Sequence, residues 1–179
     1  MTRRSRGGRI VSPNDAIARA RHAHQVVGAR WPALLLECLL ERDGRDGAYD
    51  WLCGRVDGLL LQLDRSTDEL REAIALARRS NDEGADLDVI DQRAWALWRH
   101  REGNGGPRTA VAQLLFARTR AEQNDNDPRL FSLALATPIC VLERGEPRPG
   151  AIFERVIEMF SAHVGLDPRR ADHKPTSGP

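Results

Sequence analysis

Apolar residues recur along this chain at spacings of three and four rather than two, the period of helices with one buried stripe. Ile17, Ala20, Ala23 and Val27 share one side of a helix expected over 13–29, with Ser12 as N-cap, Pro13 at its first position and Asp15 as the capping-box acid. Trp31, Leu34, Leu35, Cys38 and Leu39 mark a second helix over 31–42, ended by a loop at Asp43-Gly44-Arg45-Asp46-Gly47. A third, over 48–64, buries Leu52, Val56, Leu59, Leu60 and Leu63. A fourth, over 67–80, opens on Ser66 and Glu69 as a capping box and packs Leu70, Ile74 and Ala77. A fifth, over 87–102, shows Ile90, Ala94, Leu97 and Trp98.

Gly103-Asn104-Gly105-Gly106-Pro107 is the clearest break. Pro107 then opens a sixth helix reaching about 122, and Pro128 a seventh over 128–143, which Pro138 is expected to kink or cut. After the stiff turn 146–150, an eighth helix over 150–164 packs Ile152, Phe153, Val156, Ile157 and Phe160.

Leucine, alanine, arginine and glutamate dominate, while β-branched and aromatic residues are too sparse for a sheet protein. The fold class is therefore all-α: an irregular bundle of seven to eight helices, or a short stack of helical hairpins of the α-solenoid kind. Similar helix ends at Leu40–Gly44, Arg99–Gly103 and Leu142–Glu146 favour the stack, but their spacing is not constant. With 179 residues and 41% hydrophobic content, the chain suits one domain over 12–164, between a flexible basic arm (1–11) and a disordered tail (165–179).

Charge divides the chain unevenly. Residues 1–9 carry only Arg3, Arg4, Arg6 and Arg9, whereas 10–164 hold 20 arginines against 24 acids. A nucleic-acid groove normally needs a positive face on the fold itself, and the body is mildly acidic. Three scattered cysteines, without framework or CxxC spacing, point to reduced thiols and a cytoplasmic setting. There is no apolar run long enough for a membrane span and no secretory leader pattern.

Candidate chemistry is thin. His22 and His24 are two apart on a helix, so they diverge and cannot chelate one ion. Asp43, Asp50, Asp57 and Asp64 fall seven apart and read as a solvated face, as do Glu154 and Glu158. Cys38, Cys53 and Cys140 sit in apolar runs and read as core fillers. No nucleophile elbow, phosphate-cradling loop or dinucleotide fingerprint occurs. Neither a metal nor a cofactor is expected.

Trp95 and Trp98 lie three apart on one side of the fifth helix. Together with Trp31 and Trp51 they read first as a core cluster, and otherwise as a partly exposed anchor for a partner. The leading expectation is thus a non-enzymatic interaction, regulatory or adaptor module whose partner is another protein or peptide. Its candidate surface is Trp95, Trp98, Arg99 and Arg101, and self-association is open to it. The alternative is a nucleic-acid-associated factor making weak, non-specific contacts through Arg3, Arg4, Arg6, Arg9 and Arg108, with Arg118 and Arg120 on the same helix as Arg108. A third reading is an enzyme whose site gathers two or more of Asp91, Arg93, His100 and Glu102 from distant positions.

Overall fold

Ser12 Oγ accepts the Asp15 amide at 3.2 Å, and the chain enters α1 (Pro13–Val26) at the expected cap. The structure, a computed structural model, describes residues 11–26, 30–80, 84–103, 105–120, 128–148 and 150–167. Six further helices follow: α2 (Trp31–Gln62), α3 (Asp68–Arg79), α4 (Leu87–Arg99), α5 (Pro107–Thr119), α6 (Pro128–Arg144) and α7 (Ala151–Val164). The fold is all-α, and no strand occurs among the described residues.

Three details differ from the sequence pattern. The expected loop at 43–47 is a kink: only Gly44 leaves helical backbone, with φ 75° and ψ −177°, and helix resumes at once. That region of φ/ψ is open to glycine alone, so one residue turns the chain where a loop was expected. The cap of α3 is Thr67, whose Oγ1 accepts the Leu70 amide at 3.3 Å, not Ser66. Pro138 does not cut α6, which runs through to Arg144. The residue just before Pro138, Thr137, donates its hydroxyl to the Leu133 carbonyl at 3.1 Å.

The α5 helix is apolar on nearly every side and packs against α2, α3, α4 and α6, so it forms the middle of the core. The buried Tyr49 hydroxyl donates to the Leu114 carbonyl at 2.9 Å, joining α2 to α5. Elements far apart in sequence also meet, since α1 and α2 both touch α7, and α2 packs along α6. At the ends, the Val11 amide donates to Glu41 at 3.0 Å, and Gly165 with Leu166 caps α7. Val11, Gly165 and Leu166 are tied to the helices through these bonds. Residues 1–10 and 168–179 lie outside the described residues, and with them the expected arm and tail.

Candidate functional site

The four tryptophans do not form one cluster; they separate into three sets, each built on a phenylalanine. Trp31 and His24 pack on Phe153, Trp51 on Phe160, and Trp95 with Trp98 on Phe116. Trp31 and Trp51 belong to the core. Trp95 is 43% exposed and is the large aromatic side chain the fold leaves open.

The α4–α5 face is assembled from both helices. The Trp95 and Trp98 rings meet buried Phe116 edge-on, with centroids 5.0 and 6.2 Å away. Arg101 lies over the Trp98 ring at 4.2 Å, and Arg120 over the Phe116 ring at 4.5 Å. Arg101 and Arg99 also donate to the Trp98 and Trp95 carbonyls, at 2.8 and 3.3 Å. The expected quartet Trp95, Trp98, Arg99 and Arg101 thus occupies one surface at the end of α4. Phe116 and Arg120 complete it from α5. The α4 sequence does not announce them; their signal is the four-residue spacing that puts both on one side of α5.

The other named residues go elsewhere. Arg108 reaches the Glu69 carboxylate through Nε and NH2, at 3.2 and 3.1 Å, and Glu102 through NH1 at 3.1 Å. Its donors are engaged within the protein. Arg3, Arg4, Arg6 and Arg9 lie outside the described residues. Arg118 pairs with Asp46 at 3.2 Å and donates to the Ser80 carbonyl.

The residues named for a distributed enzyme site do not converge. Asp91 accepts from Thr119, Arg93 donates to the Glu69 carbonyl, and His100 caps α4 in solvent. A cavity of about 560 Å³ opens beside α3, the α4–α5 connection and the end of α6. Of those four residues only Glu102 lines it, and that carboxylate is already held by Arg108.

The acidic stripe is divided too. Asp43 meets His163 at 2.8 Å, Asp50 meets Arg78 at 3.2 Å, and Asp64 closes α2 with a positive φ. No group of metal-ligating side chains forms among the described residues. Glu143 links three elements, accepting from His24 Nε2 at 2.8 Å and Trp31 Nε1 at 2.9 Å. Burial pushes the Cys53 and Cys140 thiols up to about 12, and burial also raises Cys38. All three stay protonated at neutral pH, the form that is a poor nucleophile.

No described helix is long and apolar enough to cross a membrane. Comparison with protein-family models, curated proteins and solved structures finds no match to this chain.

Proposed function

We propose that this chain is a non-enzymatic helical module, of regulatory or adaptor type, that binds another protein through its α4–α5 face. The observation that carries this reading is Trp95, an indole 43% exposed on a well-packed base of Trp98 and Phe116. Tryptophan and arginine lead the residues that dominate interface energies, and both gather here. A rigid helical pair lowers the ordering cost of docking. The three thiols support a cytoplasmic setting for the module.

The test is affinity capture from the native host lysate, with and without nuclease, comparing the wild-type chain with Trp95→Glu. A partner protein should survive nuclease treatment. Its affinity should fall by about thirty-fold or more in the variant, as for a hot-spot side chain. Thermal melting of the variant should stay close to wild type, because Trp95 is half exposed. A partner that the variant retains, or that nuclease releases, would overturn the reading. So would turnover of a substrate in which these residues play no part.

A further inference from the structure

We infer that the α4–α5 face takes an acidic peptide segment, with an apolar side chain against Trp95 and carboxylates on Arg99, Arg101 and Arg120. This rests on the docking reading above and adds the chemistry of the partner. Arg71, Arg78, Arg108 and Arg155 each meet a carboxylate, while other exposed arginines such as Arg19, Arg79 and Arg144 meet none among the described residues; what sets the α4–α5 face apart is three such groups gathered around a half-exposed indole. The three guanidinium groups around the indoles are exposed and meet none among the described residues. Their recorded contacts are ring faces and backbone carbonyls.

The geometry also chooses between two kinds of anionic partner. A single-stranded nucleic acid binds by laying bases on open aromatic faces. Here Arg101 lies over one face of the Trp98 ring, and Phe116 is buried beneath Arg120, which leaves Trp95 alone as an open indole rather than a run of stacking platforms. A guanidinium stacked in this way still presents N–H groups at its edge, apart from the Arg101 NH1 that donates to the Trp98 carbonyl, and such groups suit a carboxylate. The acidic balance of residues 10–164 disfavours a polyanion of high charge density more than a short peptide with a few carboxylates. Trp95 remains as the apolar contact, in the way interface anchors are ringed by polar groups.

The experiment is selection of a random twelve-residue phage-displayed peptide library on the full chain, with counter-selection on Trp95→Ala. The selected peptides should be at least twofold enriched in Asp and Glu over the starting library, around one apolar residue. A synthetic peptide of the consensus should lose about two- to fivefold in affinity for each of Arg101→Gln and Arg120→Gln, the size of an exposed ion pair. The loss should shrink at high salt. Neutral or basic selected sequences overturn the inference, as does a selection that enriches nothing. Tighter binding of a twelve-nucleotide oligothymidylate than of the consensus peptide assigns the face to nucleic acid instead. A partner still lost on Trp95→Glu in lysate, together with a failed acidic selection, would overturn the partner chemistry while leaving the docking face standing.

Discussion

Replacing Gly145 by alanine would place a methyl group 2.2 Å from the Gly105 carbonyl oxygen and 3.3 Å from its carbon. The end of α6 and the α4–α5 connection cross backbone to backbone there. Ordinary contact begins at 3.4 Å, so the two segments must part by about 1.2 Å. Neither is free to do so. Gly145 is tied to Val141 and Leu142 through its amide, and Pro107 stiffens the chain two residues beyond Gly105. Parting them also strains the bond from Arg65 to the Gly145 carbonyl, now 3.1 Å.

Overpacking of this kind costs about 1–3 kcal/mol. The lost charged hydrogen bond adds to that cost, and reduced freedom of the unfolded chain returns about 0.4–1 kcal/mol. A net loss of about 2–3 kcal/mol follows, or a melting temperature lower by about 4–12 °C for a chain of this size. Gly58→Ala is the matched control. It lies inside α2, where its new methyl would meet only Met159 Cε at 3.5 Å. The same chemical change should there stabilise by about 0.5–1 kcal/mol, from helix propensity. Urea denaturation of both variants reads the two signs directly. If Gly145→Ala is as stable as wild type, the two connections do not touch and the crossing is wrong.

Two smaller expectations test the core. Tyr49→Phe removes the one hydroxyl that ties α2 to the Leu114 carbonyl and should cost about 0.5–1.5 kcal/mol in urea denaturation; an unchanged midpoint would mean the bond does not form. Cys53 and Cys140 should resist iodoacetamide at pH 8.5 in the native protein and react once it is unfolded, because burial holds both thiols near 12. Their raised values also fix a sign: the contribution to stability is complete below the unfolded value of 9.0 and falls away as pH climbs towards about 12. A urea midpoint that rises over that window would contradict the burial.

Helix positions were legible wherever a local chemical signal marked them. Ser12, Pro107 and Pro128 each open a helix where the pattern puts one. The signal fails where two residues offer the same chemistry, as Ser66 and Thr67 do, since only backbone geometry decides which hydroxyl reaches the Leu70 amide. It fails again at Asp43–Gly47, where two glycines read as a loop although one suffices for the turn. The three similar helix ends show the same limit. Gly44 and Gly103 occupy matching places and share a left-handed φ near 75°, as a repeat would require. In the third copy the glycine falls one place earlier, at Gly145, and its value is close contact with Gly105 rather than a positive φ. Contacts also run beyond chain neighbours, since α1 and α2 both reach α7.

The candidate face was half legible, and the reason is physical. A spacing of three puts Trp95 and Trp98 on one side of a helix whatever that helix packs against. Whether the pair is core or surface depends on Phe116, a neighbour 18 positions from Trp98 and 21 from Trp95. The antiparallel register of α4 on α5 brings Asp91 to Thr119 and so delivers Phe116 beneath both indoles. Phe116 is thereby buried and Trp95 displaced outward, an outcome that no property of α4 alone contains. The same register sets Arg120 over the Phe116 ring while Arg118, two residues before it on the opposite side of α5, turns inward to Asp46 and Ser80. Two arginines that look equivalent in the sequence are thus divided into one that pairs within the fold and one that stacks on Phe116 at the surface.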